Sequence, residues 1–335
     1  MTAAGIRQQG TCPKHMVYGP CGGVTTTGGC EIDAVLPCPF VATPTVTWQG
    51  GPPTASKQHP LLDVLATRQV VIADLPTAPL DRTALQRSAD LLAGNVDAVL
   101  IGDHPGARVQ FPPSYRAHLL RDRGIAVWAG LNCRDRNRVA LEGELAALAD
   151  ADVVAVHCVT GDHPALGHRR DAAPVFDLDS TRLAARARTA GLLVSVAESP
   201  CGPPADRRPG RLAEKVRAGA QVCLVNHAGG AGPVAAFVAA GPDIPYIACV
   251  PVVLGPEQAR LLATFPGLVL PPGFLAGILD APDPAVAGID AAVQLAEELL
   301  AVPGVRGVDL GALPVKGAED ATATALATVA RALRG

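Results

Sequence analysis

IAVWAGLNCRDRNRVALEGELAALADADVVAVHCV, residues 125–159, decides the fold. It opens on an apolar run, passes through a charged stretch with helical periodicity, and closes on a second apolar run. Neither run alternates polar with apolar residues, as a strand with one wet face would. Each therefore reads as a parallel strand buried on both faces. The same unit recurs on either side. VVIAD (70–74) and VDAVLIG (96–102) precede IAVWAGL (125–131) and DVVAVHCV (152–159). LLVSVA (192–197), QVCLVN (221–226), IPYIACVPVV (244–253) and VRGVDL (305–310) follow. Helical segments lie between and after them at 82–93, 114–123, 136–149, 179–190, 210–219, 231–240, 256–264, 285–301 and 317–333. Eight β/α repeats predict an α/β fold of the (β/α)8 TIM-barrel type over residues 69–335. A doubly wound open sheet is the alternative, although no run leads into a G-x-G-x-x-G turn.

The 335 residues suffice for a barrel with a small appendage. With 18% charged residues and a net charge of -3, the chain offers no basic surface for nucleic acid. No apolar stretch is long enough for a membrane span and no basic-then-apolar leader opens the chain, so a cytoplasmic protein is expected. A redox partner protein and a homo-oligomer both stay open at this stage.

Residues 1–40 are set apart by Cys12, Cys21, Cys30 and Cys38, four of the nine cysteines, in a glycine-rich segment too small for a core of its own. In a reducing compartment, clustered cysteines point to metal ligands or redox groups. The intervals of eight, eight and seven residues lack the short C-x-x-C knuckle usual for zinc, while nearby glycines leave N–H groups free to approach sulfur, as in a [4Fe–4S] cluster. Zinc and the cluster remain alternatives for this metal-binding module. Residues 41–68, rich in Pro, Gly and Thr, read as a linker. Cys201 is a candidate fifth ligand or reactive thiol, and Cys133, Cys158, Cys223 and Cys249 read as small core residues.

Polar residues gather at the C-terminal ends of the strand runs: Asp74, Asp103, Asn132, Asp162, Glu198 and Asn226. On a barrel this is the catalytic face. Taken singly, each is equally a turn or helix-cap residue.

LNCRDRNRVALEGEL (131–145), VTGDHP (159–164), PVFDLDS (174–180) and EKVRAGA (214–220) occur in an order that resembles the methylenetetrahydrofolate reductase family. The likeness extends over about 69–335. The opening CPK…GPCGG…GGCE…C separately resembles the cysteine module that accompanies some of these reductases. The resemblance implies a flavin-binding barrel, with FAD or FMN, that reduces 5,10-methylenetetrahydrofolate to 5-methyltetrahydrofolate. A folate-dependent one-carbon transferase and a folate-binding subunit needing a partner are the competing readings.

By the same resemblance, Asp74 stands where the family has a glutamate proposed to protonate N10 of the folate, and burial at a strand end would raise a carboxyl pKa as that role needs. Asp162 corresponds to the family's G-D aspartate, which stabilises the cation developing at N5. Asn226 replaces a pterin-reading Gln; Asp103, Asn132 and Glu198 complete the expected substrate site. Thr160, Arg134 and Lys215 are the expected flavin contacts, with Gly130 and Ser199 at positions where relatives carry larger side chains. Arg134, Arg136 and Arg138 read as the start of a helix, available to a phosphate or to pairing with Glu142 and Glu144.

Overall fold

The computed structural model describes residues 12–43, 45–51, 53, 59–102, 108–263, 267–313 and 315–335. Two helices precede the first strand, α1 (Pro39–Ala42) and α2 (Pro60–Thr67). The repeats then run β1 (Val70–Asp74), α3 (Arg82–Leu92), β2 (Ala98–Ile101), α4 (Pro113–Arg121), β3 (Val127–Asn132), α5 (Arg138–Asp150), β4 (Ala155–Val159) and α6 (Ser180–Thr189). They continue through β5 (Val194–Glu198), α7 (Arg208–Ala218), β6 (Val222–Val225), α8 (Ala231–Ala240), β7 (Tyr246–Pro251), α9 (Pro256–Leu262), α10 (Phe274–Leu279), α11 (Pro284–Leu300), β8 (Val305–Gly311) and α12 (Glu319–Ala332). The strands form a closed parallel barrel in sequence order, with β8 returning to β1. The TIM barrel expected from the sequence is the observed fold.

Each strand is apolar on both faces because both faces are covered. Residues such as Val71, Val99, Val156 and Val308 pack outward against the helix ring. Val70, Ile72, Leu100, Trp128, Leu193, Leu224 and Ile247 turn inward and fill the lower lumen. The bottom of the barrel is closed by α2, whose Leu61, Leu62 and Val64 pack on this inner cluster and whose Leu65 is fully buried in it. The helix begins at Pro60, with the His59 ring accepting from the Leu61 N–H at 3.3 Å. The Arg306 guanidinium satisfies its last carbonyls, donating to Leu65 O at 2.5 Å and Ala66 O at 2.6 Å. Part of the expected linker is therefore a piece of the barrel. In so short and proline-rich a segment, helicity comes from docking.

A second difference lies after β3. Helix α5 starts at Arg138, capped by the Asn137 side chain on the Ala140 N–H at 3.1 Å, so Arg134 and Arg136 precede it. The expected pairing of these arginines with Glu142 and Glu144 is replaced. Arg134 holds Asp135 in a bidentate fork at 2.7 and 2.8 Å, and the Arg138 N–H donates to Asp177. Glu142 pairs with Arg186 and Glu144 accepts from Ser114.

The N-terminal segment folds onto the C-terminal end of the barrel strands. A short hairpin, with Cys30 N–H to Leu36 O at 2.8 Å and Cys38 N–H to Gly28 O at 2.9 Å, sets two of the four thiols. Met16, Val17, Tyr18, Val24 and Phe40 are buried. The contacts to the barrel are specific: Val17 N–H to the Asp179 carboxylate (3.2 Å), Arg208 to Cys21 O (3.0 Å), and Arg207 to Thr43 O (2.7 Å). Asp179 also caps α6 by accepting from the Arg182 N–H at 3.0 Å, so one buried carboxylate both starts a helix and anchors the cysteine segment. Tyr18 packs on Trp48, whose backbone N–H donates to Glu214 Oε2 at 2.6 Å.

Candidate functional site

A cavity of about 360 Å3 opens between the C-terminal ends of β2 to β6 and the cysteine segment above them. Its walls bring together Asn132, Arg134, Thr160, Asp162, Glu198, Lys215 and Asn226, seven of the nine site residues that the barrel sequence suggested. Asp103 lies outside the described residues. Asp74 is described but stands apart, inside the lumen on β1, beside the cavity's Leu100 in strand register.

The expected flavin contacts are engaged within the protein. Lys215 lies between Glu198 Oε2 (2.8 Å) and Ala197 O (2.5 Å). Arg134 grips Asp135, and Thr160 Oγ1 accepts from the Ser180 N–H at 3.1 Å, which fixes the start of α6. Glu198 faces α7 from the end of β5, held by Lys215 and by Arg208 Nη1 at 3.1 Å. Burial acts to raise its pKa, but the Lys215 and Arg208 charges outweigh it and hold the carboxyl below its ordinary value. This triad ties β5, α7 and, through Arg208 to Cys21 O, the cysteine segment into one unit.

Other cavity groups keep hydrogen-bonding capacity in reserve. Asn132 is 1% exposed; its Oδ1 accepts from the Arg134 N–H at 2.7 Å, while its Nδ2 meets no acceptor. Arg211, with no exposed surface, donates from Nη1 to Thr181 Oγ1 at 2.7 Å, and its Nε and Nη2 have no partner. Buried donors of this kind normally find an acceptor, so a ligand atom is the natural one. Two glycines make the arrangement possible. Gly19, at φ +135°, leaves room for Arg211, whose Cδ would lie 2.5 Å from an added Cβ. Gly161, at φ +88°, turns the loop that leads into Asp162, and a Cβ added there would lie 3.1 Å from Asn132 Cβ. Asn226 donates to Ser199 Oγ at 3.4 Å and accepts from the His227 N–H.

Sequence reading missed Lys14, Glu31, His157 and Arg211. Lys14 and Glu31 form a buried ion pair at 2.5 Å in the cavity roof. Burial disfavours the Lys14 charge, yet Cys21, Glu31 and Asp162 together raise its pKa. His157, on the inner face of β4, is part of a chain in which Trp128 donates to Ser195 Oγ at 2.8 Å and Ser195 meets His157 Nδ1 at 3.0 Å. Burial, helped by Lys215, pushes His157 down to about 3, so it is neutral at pH 7. An inward His at this place carried no flanking motif that could flag it.

In the lumen, Asp74 has company that the sequence did not announce. Asp309 of β8 lies beside it, and Cys249 of β7 is in register with Asp309, its Sγ 3.8 Å from Oδ2. Burial pushes Asp74 up from 3.8 to about 7. Burial first, and then the Asp74 charge, drives Asp309 well above the usual carboxylate range.

Cys12, Cys21, Cys30 and Cys38 line one narrow cavity of about 20 Å3 with apolar walls that include Val24, Leu36 and Phe40. Among the described residues no three His, Cys, Asp or Glu side chains are arranged around a single metal-ion position. Cys21 borders both this cavity and the larger one. Cys201 is not in the quartet; its Sγ points at Ala228 O at 3.6 Å. Among the described residues no helix is long and apolar enough to cross a membrane.

Residues 1–49 match the family model described as methylene-tetrahydrofolate reductase C terminal. No curated protein matches the chain. Among solved structures, an uncharacterized protein from Clostridium thermocellum that binds two copies of 5-methyl-5,6,7,8-tetrahydrofolic acid aligns at 13% identity and a TM-score of 0.57, over 79% of this chain and 96% of that one. An oxaloacetate acetylhydrolase aligns at 11% identity and 0.49, over 75% and 79%. At such identity the first of these likenesses shows the barrel fold alone.

Proposed function

We propose that this chain is a folate enzyme that reduces 5,10-methylenetetrahydrofolate to 5-methyltetrahydrofolate in the cavity under the cysteine segment. The observation that carries this reading is that two carboxyl groups serve one barrel mouth, Asp162 in the cavity wall and Asp74 in the lumen beside the cavity's Leu100. Asp74 is half-buried, has no cation partner among the described residues, and is pushed by desolvation up to about 7; Asp162 stands at the cavity wall on a glycine-turned loop. A protonated Asp74 donates to N10: its O–H bond breaks, N10–H forms, and the ring opens to an N5 iminium. The Asp162 carboxylate stabilises that cation where water is largely excluded. A hydride from a two-electron donor then gives the 5-methyl product. The family match at residues 1–49 and the folate bound by the Clostridium thermocellum barrel agree with this ligand class. Asn132 Nδ2 and the spare Arg211 donors suit the polar pterin edge and an anionic glutamate carboxylate.

Flavin fits less well. Lys215, Arg134 and Thr160 are all engaged by protein groups. The same observation favours a second reading, a one-carbon transferase without net hydride transfer. Incubating oxygen-protected protein with 5,10-methylenetetrahydrofolate and a reductant, and following 5-methyltetrahydrofolate, tests both. Product that requires the reductant supports reduction. Methyl or methylene transfer to an acceptor without it supports the transferase, and binding with no chemistry would leave a folate-binding subunit that needs a partner.

For the cysteine quartet we favour a [4Fe–4S] cluster over zinc. Zinc draws four sulfurs to about 2.3 Å of one ion, whereas a cubane places each thiolate on a separate iron; the four thiols line one shared cavity, and their glycine-rich surroundings leave N–H groups free to approach sulfur. Such a cluster supplies one-electron transfer, and Cys21 would set it against the wall of the folate cavity. Metal analysis checks the choice: about four irons per chain, lost on replacing any one of the four cysteines with Ser, support it, and stoichiometric zinc overturns it.

A further inference from the structure

The lumen layer above the apolar plug holds three ionisable groups on three adjacent strands: Asp74 on β1, Asp309 on β8 and Cys249 on β7. Their inward direction follows from the alternation, because Val70 and Ile72 on β1 and Ile247 on β7 already belong to the inner cluster. Asp309 is in register with Ile72 on one side and with Cys249 on the other. Gly311, the residue of β8 nearest Asp74, has no side chain to separate the carboxyls; a Cβ there would lie 3.2 Å from Asp74 Oδ2.

The surroundings supply no counter-charge. Neither carboxyl takes part in an ion pair among the described residues. Asp309 is 5% exposed, and its Oδ1 has no hydrogen-bond partner. The other titratable groups facing the layer are neutral near pH 7. Burial, reinforced by Asp309 and Asp74, raises the Cys249 thiol pKa. Cys223 of β6 points outward to the helix ring but acts on Cys249 from there, and burial raises it too. His227 is lowered to about 4 by burial, and its Nδ1 meets Cys249 O at 3.1 Å. A carboxylate with an unpartnered oxygen in such a place is costly, and a carboxylic acid is not. Two carboxyls side by side cannot both ionise there.

We propose that Asp309 is the positioning residue of the proton donor: a carboxyl that stays protonated while Asp74 cycles between acid and anion, so that the layer never carries two negative charges. Once Asp74 has given its proton to the substrate nitrogen, the Asp309 O–H turns to the new carboxylate and stabilises it; solvent later reprotonates Asp74. The inference rests on the folate reading for the identity of the proton acceptor. The carboxyl pair itself does not depend on it.

Infrared spectroscopy of the full chain, without substrate, reads the pair through the C=O band of protonated carboxyls. Wild-type protein should retain a buried protonated-carboxyl band at about pH 8, far above an ordinary carboxyl, and Asp309→Asn should lack it. In Asp74→Asn the like charge is gone, so the Asp309 band should titrate at least about tenfold lower in proton affinity than in wild type. Circular dichroism checks that both near-isosteric variants fold, and each reads the pair by itself. A band at about pH 8 that survives Asp309→Asn, or an Asp309 midpoint unmoved by Asp74→Asn, overturns the proposal. If the coupling is found but Asp74→Asn converts folate at the wild-type rate, the pair stands and the folate reading loses its acid.

Discussion

Two sets of buried acids sit on opposite sides of the same barrel mouth and end in opposite states. Glu198, at the end of β5, has Arg208 and Lys215 within 3.1 Å and is held as a carboxylate. Asp74 and Asp309, on β1 and β8, meet a thiol and apolar walls, and both are pushed toward the neutral acid. Residue type does not explain the difference. Burial disfavours the charged form on both sides; only the β5 side has cations from α7 close enough to reverse it. One side is thereby a rigid structural clamp and the other a candidate proton donor.

The comparison breaks most visibly at Asp74. Asp74→Asn should slow methylenetetrahydrofolate conversion by about 100 to 10,000-fold, the usual worth of a general acid, with little change in folding. Single-turnover measurement of 5-methyltetrahydrofolate checks it, and a rate within about threefold of wild type would remove Asp74 from the chemistry.

Glu198→Gln is the counterpart on the clamp side. It strands two buried cations and should cost about 3–5 kcal/mol of unfolding free energy, read by denaturant titration. A loss below about 1 kcal/mol would mean that the triad is solvated like a surface pair.

Asp162→Asn removes charge but little volume from the cavity wall. Turnover should fall on the order of 100-fold, about 2.7 kcal/mol at the transition state, with stability nearly unchanged. Equal turnover would place the iminium elsewhere.

The pH dependence of stability is the most direct test of the contrast. Asp74 has a folded pKa raised from 3.8 to about 7, so its contribution to stability is fully present below pH 3.8 and is lost as pH rises toward 7. Glu198 has a folded pKa below its ordinary 4.5, so its contribution is present above that value and is lost as pH falls through the lower folded pKa. Denaturant midpoints across this range should show Asp74→Asn flattening the decline between pH 4 and 7, and Glu198→Gln flattening the loss at acid pH. The same slope in wild type and in both variants would refute the assignment of opposite states.

The barrel was legible because its cause is local. A parallel strand covered on both faces needs an unbroken apolar run, and a helix on the outer ring needs its own periodicity; VVIAD and VDAVLIG satisfy the first, and the observed β1 and β2 lie within them. The eight residues of α2 were not legible, since their helix exists by docking Leu65 into the barrel floor. Among the site residues, Asn132, Asp162 and Asn226 stood at strand ends within recognisable runs, and the cavity does contain them. Asp309 was hidden inside an apolar strand run, VRGVDL, where nothing nearby marks it as the neighbour of Asp74. Lys14 and Glu31 come from the N-terminal segment and Arg211 from α7, and no spacing in the chain foretells that they line one cavity.

By itself, the sequence determined the order and number of β/α units, the end of the barrel at which polar residues gather, and a cysteine-rich segment chemically unlike the rest. It did so because hydrophobic periodicity and strand-end polarity are properties of neighbouring residues. Only the tertiary structure decided that this segment roofs the cavity, that Lys215 serves Glu198, and that Asp74 shares its layer with Asp309. Those outcomes depend on desolvation and on charges brought together from 17 to more than 200 positions apart, and the energy of a buried charge is set by what surrounds it in space.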